Sequence, residues 1–229
     1  MPTVLSTGGL GFVGSHTCIS LLETGFDVLI IDSLFNSKSS TFSKIEKIIK
    51  ISKNKVEGKV FFEKGDLRNT KWLEEIFKKY KQIGKTIECV IHFAGLKSAE
   101  ESIKHPLKYW DVNINSTLSL LSVMNLYNCR VIVFSSSATV YKPKLNIKID
   151  ENSFIEPINS YGNSKASIEK ILSDIYKSNP EKWKIANLRY FNPVGAHSSS
   201  IIGEDPKGKA NNIFPIIRNV IEKKIRSLY

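Results

Sequence analysis

Cysteine is sparse in this 229-residue chain: Cys18, Cys89 and Cys129 lie far apart and show no paired spacing. That excludes a disulfide framework and reads as reduced, mostly buried thiols in a cytoplasmic protein. No stretch approaches the roughly 20 apolar residues of a membrane span. Met1 to Leu5 runs straight into a strand and a glycine turn, so no secretory leader is expected. The four histidines, His16, His92, His105 and His197, share no ligand spacing, and no metal is expected. Internal repeats and low-complexity linkers are also lacking. Arginine is scarce, which bears on the formal charge of +11: the excess is lysine spread over helix surfaces. Without arginines to read bases or aromatics interleaved with the basic runs, nucleic acid is not the expected partner. The residual positive field suits an anionic small ligand.

What is present is alternation. Short apolar strands are expected at Thr3 to Ser6, Val28 to Ile31, Lys59 to Glu63, Cys89 to Phe93, Val131 to Phe134 and Lys184 to Leu188. Helices are expected at Gly11 to Glu23, Phe42 to Ile51 (with a Ser43–Glu46 capping box), Thr70 to Lys81, Leu107 to Tyr127, Tyr161 to Lys177 and Phe214 to Ile225. Continuous apolar strands alternating with helices predict an α/β fold, a Rossmann-type doubly wound parallel sheet covered on both faces. Asn192 to Asn212 turns rich in Gly, Pro, Ser and Asn, as though a smaller lobe began there. The expected division is a dinucleotide-binding domain over 1–190 and the beginning of a substrate-binding region over 191–229, the chain reading as interrupted.

Gly8, Gly11 and Gly14 form G-x-x-G-x-x-G between the first strand and the first helix. Side chains there would block the tight turn, the approach of a pyrophosphate and the packing of helix on strand. The helix N-terminus then offers free N–H groups to phosphate. Asp32 ends the second strand 18 residues after Gly14, where a carboxylate accepts from an adenosine ribose. It also repels the extra phosphate of NADP, so NAD is favoured. Asp66 and Leu67 end the third strand; Asp66 could reach the adenine or simply be a turn aspartate.

Downstream come Ser137 and then Tyr161-Gly162-Asn163-Ser164-Lys165. A hydroxyl, a phenol and an ammonium in that order are the proton-handling parts of a nicotinamide-dependent sugar enzyme. A phenol takes a proton from a substrate only if its pKa falls from about 10. Lys165, four residues on, shares a helix face with Tyr161 and can supply the positive charge.

Three runs are more selective: His92 to Lys97, Phe134 to Tyr141 and Leu188 to His197, continued by Gly203-Glu204-Asp205-Pro206 and Asn211-Asn212. With these the chain resembles the extended short-chain dehydrogenase/reductases and, within them, the UDP-glucose 4-epimerases, from Val4 to Tyr229. The resemblance implies an NAD site of Gly8, Gly11, Phe12, Val13, Gly14, Asp32, Asn36, Ser37, Asp66, Leu67, Phe93, Ala94, Gly95, Lys97 and Asn113. Tyr161, Lys165, Tyr190 and Phe191 would lie by the nicotinamide ribose. Ser137, Tyr161, Asn192, Asn211 and Asn212 would face a UDP-sugar. Catalysis would fall to Ser137, Tyr161 and Lys165, interconverting UDP-galactose and UDP-glucose by oxidation at C4, rotation of a 4-keto sugar and re-reduction.

Members of this family commonly pair through two long helices, here near Leu107 to Tyr127 and Tyr161 to Lys177, which implies a homodimer. Dehydratases of the superfamily carry an acid pair after the serine, and none follows Ser137, which disfavours dehydration. Ser160 stands where the family pattern has proline, and the loop from Tyr141 to Ser160 is one residue shorter. Roughly another third of a family chain, supplying most uridine and diphosphate contacts, has no counterpart here. Two further readings remain open: epimerisation of another UDP-sugar (an N-acetylhexosamine or uronate), and a truncated, non-catalytic NAD-binding remnant.

Overall fold

The computed structural model describes residues 1–52, 56–143, 148–207 and 212–226. Six strands, β1 Thr3–Thr7, β2 Asp27–Asp32, β3 Val60–Lys64, β4 Ile87–His92, β5 Val131–Ser137 and β6 Lys184–Tyr190, form one parallel sheet. Their order is β3-β2-β1-β4-β5-β6. The expected doubly wound sheet is therefore the fold. Because the chain winds one way from β1 and the other way from β4, a crevice opens between the C-terminal ends of those two strands.

Strand alternation divides the core into two layers. Val28 and Ile30 pack with Cys18, Ile19 and Leu22 of α1 (Phe12–Glu23) and with Ile45 and Ile48 of α2 (Ser40–Ile51). Leu29 and Ile31 point the other way, into a cluster with Leu73 and Phe77 of α3 (Thr70–Gln82) and with residues of two later helices. Those two are α6 (Ser116–Leu126), which continues a long rod begun by α5 (Pro106–Trp110), and α7 (Ser160–Ser178); the short α4 (Ala99–Lys104) precedes the rod. Each fully buried leucine or isoleucine contributes about 1.5–3 kcal/mol.

Four local features depart from the sequence reading. The capping box at Ser43 does not form, because α2 begins earlier and Ser39, at its N-cap, makes no side-chain bond. β5 runs past Phe134 through the serine triplet, since Ser135, Ser136 and Ser137 pair with Leu188, Arg189 and Tyr190. The rod from Pro106 to Leu126 contains a π-helical turn at Asp111–Asn115. Helix α8 (Ile213–Ile221) stops short of Ile225.

Helix α7 starts without the family's proline, because the Asn159 side chain accepts from the Gly162 N–H at 2.8 Å and satisfies the first turn. No helix among the described residues is long and apolar enough to cross a membrane.

Candidate active site

The crevice begins with the turn after β1. Gly8 has φ +67°, and a Cβ on it would sit 2.7 Å from the Ala94 nitrogen; one on Gly14 would sit 2.6 Å from the Gly8 carbonyl oxygen. Only glycine fits either place. No side chain caps α1 at Gly11, and its first turn holds no acidic residue, which leaves its N–H groups available to an anion.

Asp32, at the tip of β2, is buried. Its Oδ1 accepts from the Leu34 N–H at 2.9 Å and the Ser37 hydroxyl at 2.7 Å, and its Oδ2 accepts from the Leu10 N–H at 3.1 Å. One carboxylate thus ties the glycine turn to the loop after β2 and keeps acceptor capacity on Oδ2. Asp66 takes the turn role: its carboxylate is gripped by Arg68, with Nη2 at 2.6 Å, and is held below the usual carboxylate range by that contact. Leu67 is buried in the core.

Across the crevice, Ser137 ends β5 and Tyr161 opens α7. Gly162 packs so tightly on the turn after Ser137 that a Cβ there would collide with the Thr139 carbonyl. Ser137 Oγ accepts from the Thr139 N–H at 3.2 Å and from the Thr139 hydroxyl at 3.0 Å. Burial pushes the Tyr161 phenol up, whereas the nearby Ser137 hydroxyl favours the phenolate. Tyr161 also stacks edge-on against Tyr109, 6.4 Å between ring centroids.

Lys165 is buried, donates to the Ser135 carbonyl at 2.8 Å and lies 5.9 Å from the centre of the Tyr161 ring. Desolvation lowers it to about 8, with Glu169 opposing. Lys165 is thus beside the phenol as its spacing predicts, but in the protein alone burial outweighs any lowering of the phenol.

A buried polar chain supports this cluster. His92 bridges Thr7 Oγ1 at 2.7 Å and Thr117 Oγ1 at 3.0 Å, and the Thr117 hydroxyl donates to the Asn113 carbonyl at 2.7 Å. The Asn113 side chain accepts from the Leu96 N–H at 2.8 Å and donates to Ser164 Oγ at 2.9 Å. The π turn aims Asn113 inward, and a side chain at Gly95 would press to 3.1 Å from its Oδ1 and stand 3.8 Å from Lys165 Nζ. π turns are frequent at functional sites.

The remaining expected residues are more scattered. Phe93 and Ala94 line the start of the loop after β4, and Tyr190 is half-buried at the end of β6, its phenol raised by burial. Phe191 and Asn192 are exposed. A segment at 203–207 crosses the crevice mouth: Asp205 pairs with Lys38 at 2.7 Å, and Lys207 donates from its backbone to the Asn36 carbonyl at 3.4 Å. Glu204 lies 3.6 Å from Lys97 and also accepts from Asn212. Asn211 lies outside the described residues. Sequence reading missed Glu169 and Arg189 as site neighbours; the available signal was Glu169, one turn beyond Lys165 on the buried helix face.

A parallel Rossmann-type sheet with serine, tyrosine and lysine gathered at its C-terminal edge defines an extended short-chain dehydrogenase/reductase. The chain belongs to the family described as GDP-mannose 4,6 dehydratase, which it matches over residues 5–229. Among curated proteins it is 43% identical over 225 residues to bifunctional UDP-glucose 4-epimerase and UDP-xylose 4-epimerase 1 of Pisum sativum, covering 98% of this chain and 62% of that one. It is 44% identical over 218 residues to UDP-glucose 4-epimerase 2 of Arabidopsis thaliana, covering 95% of this chain and 59% of the relative. The structure superposes with TM-score 0.89 on the crystal structure of UDP-glucose 4-epimerase from Bifidobacterium longum in complex with NAD+ and UDP. That match has 41% identity and covers 99% of this chain and 64% of the other. The chain therefore spans about three fifths of the length of these relatives.

Proposed function

We propose that this chain carries the NAD-binding and proton-handling part of a UDP-sugar 4-epimerase that interconverts UDP-galactose and UDP-glucose. The observation supporting this most strongly is the buried Ser137–Tyr161–Lys165 cluster facing a crevice whose glycines admit no side chain. The crevice residues fit NAD. Gly11 to Gly14 would take the pyrophosphate at the α1 N-terminus, with Asp32, Asn36 and Ser37 by the adenosine ribose. Phe93, Ala94, Gly95 and Asn113 would line the middle, and Lys165, Tyr190 and Phe191 the nicotinamide end. NAD held there supplies a hydride acceptor and donor for a carbon whose C–H is not acidic.

The chain's own residues then handle protons and position. Tyr161 takes the C4 hydroxyl proton and later returns it. Ser137, beside the phenol, holds the C4 oxygen or bridges the proton. Lys165 keeps donors beyond the one spent on Ser135, for a ribose. Its charge and that of an oxidised nicotinamide favour the phenolate against the burial that now holds it up. Ala138 and Thr139 follow Ser137, and the Thr139 hydroxyl is spent on Ser137. That leaves no carboxylic acid there for dehydration, and the epimerase names of the relatives fit better than the dehydratase description of the family.

Residues 1–190 would form the cofactor domain and 191–229 the beginning of the substrate region, with Asn192, Asn211 and Asn212 toward the sugar-nucleotide. The exposed Leu107 and Trp110 beside α7 suit a second copy of the chain, as a homodimer, and a monomeric hydrodynamic radius would count against it. The Pisum sativum relative's name favours a second reading, a pentose or other UDP-sugar as substrate. A third reading is NAD binding by this chain without turnover. Proton NMR of UDP-galactose with the chain and NAD decides: appearance of UDP-glucose supports the epimerase, and no conversion with NAD bound supports binding without turnover. Conversion of UDP-xylose alone would transfer the reading to pentoses.

A further inference from the structure

A buried carboxylate stands one helical turn beyond Lys165 with no part in the proton handling above. Glu169 is 6% exposed. Its Oε1 accepts from the Ser136 hydroxyl at 2.5 Å and from Arg189 Nε at 3.0 Å, and its Oε2 accepts from Arg189 Nη2 at 2.6 Å. Arg189 donates onward from Nη1 to the Tyr141 hydroxyl at 2.5 Å and the Glu151 carbonyl at 3.3 Å. Ser136 and Arg189 are register partners on β5 and β6. One carboxylate thus clamps together the two strand ends that carry Ser137 and Tyr190.

Stability alone is a weak reason for such a group, since a buried ion pair rarely outperforms apolar residues of the same volume. Its location offers a better one. Ser136 lies between Ser135, whose carbonyl receives the Lys165 ammonium, and Ser137. The groups facing Lys165 are Tyr161 and Glu169 on its own helix, the neutral His92 and the Phe134 ring from the sheet, and beyond Glu169 the Arg189 guanidinium from β6. Glu169 is the one negative charge among them. Burial works against the ammonium, and the carboxylate works for it.

We propose that Glu169 is a positioning residue: gripping Ser136 and Arg189, it fixes the β5 end that bears Ser135 and Ser137, and its charge keeps Lys165 protonated beside Tyr161. The proposal rests on the roles assigned above to Lys165 and Ser137. It is tested on the Lys165 titration itself, which needs no substrate. The chain is labelled with ¹³C at lysine Cε, and the Lys165 signal is assigned by its loss in Lys165→Met. Glu169→Gln is expected to lower the Lys165 midpoint by about one unit. The double variant Glu169→Gln/Arg189→Met, which strands no buried charge, is expected to keep the midpoint below that of the parent chain and carries the test if the single variant fails to fold.

An unchanged midpoint in Glu169→Gln, or a double variant restored to the parent value, overturns the proposal; restoration would trace the effect to a stranded Arg189. A chain that never epimerises yet shows the shifted lysine would overturn the functional reading and leave this one standing.

Discussion

Gly162 lies against Thr139 with no room for a side chain between them, and this contact sets Tyr161 beside Ser137. The start of α7 therefore docks on the turn that follows β5, and two residues 24 positions apart are brought together. The chemistry proposed for the chain follows from that docking.

Replacing Tyr161 with Phe keeps the ring, its stacking on Tyr109 and the helix start, and removes only the phenolic oxygen. Turnover in the NMR assay is expected to fall by about 10²–10⁴-fold, the usual worth of a positioned proton carrier. NAD affinity by calorimetry should stay within about twofold. Parental rates in the variant would remove Tyr161 from the mechanism.

Gly8 and Gly25 both have positive φ, but only Gly8 faces another element at close range. Alanine at either costs about 1–2 kcal/mol of backbone strain, a fall of about 2–8 °C in Tm for a chain of this size. Gly8→Ala should also push on the Ala94 backbone and weaken NAD binding at least tenfold. Gly25→Ala, with nothing within 4 Å of the new methyl, should bind NAD as the parent does. Equal NAD affinity in both variants would separate the glycine turn from the cofactor.

Lys165 titrates near 8 in the folded chain against 10.5 in its ordinary state. Below about 8 the ammonium is present to donate to a ribose; above it the charge is lost. NAD affinity, measured from pH 6 to 10, should therefore decline as pH rises through 8, and Lys165→Met should flatten the profile. Folding moves the opposite way: between 8 and 10.5 the unfolded chain holds a proton that the folded chain has released, so stability rises with pH across that window. A flat NAD profile in the parent chain would remove the lysine from the cofactor contact.

His92 is pushed down to about 3 by burial and by the nearby Lys165 charge. From pH 6.5 down to 3 the unfolded chain binds a proton there that the folded chain does not. That stability is fully present above 6.5 and drains away at up to about 1.4 kcal/mol per pH unit. Urea denaturation at pH 7 and pH 5 should show the loss, and it should shrink in His92→Asn even though that variant starts less stable. An identical acid loss in both proteins would place the acid sensitivity elsewhere.

The sheet was legible because its signals are local. Val28-Leu29-Ile30-Ile31 reads as a strand buried on both faces, and Gly8, Gly11 and Gly14 mark a turn that only glycine can make. Tyr161 and Lys165 were legible because four residues make just over one helical turn. The rest depends on contacts across the fold. The serines at 135–137 do not read as strand, and only their pairing with β6 extends β5 over them. The Ser43 capping box had the right residues and lost to an earlier helix start. The Glu169–Arg189 pair joins a helix to a strand 20 residues on, and no periodicity carries such a pairing.

The π turn at Asp111–Asn115 acts as a phase shifter in the rod from Pro106 to Leu126. An α-helix advances about 100° per residue, so one residue more or fewer turns everything on one side relative to the other by that angle. Removing a single residue there would swing Leu107 and Trp110 around the rod while leaving α6 seated on the sheet. The outer surface of this helix and the inward aim of Asn113 are thereby set by one residue of register. An insertion or deletion within these five positions would be felt as a rotation, where one in a surface loop would be absorbed.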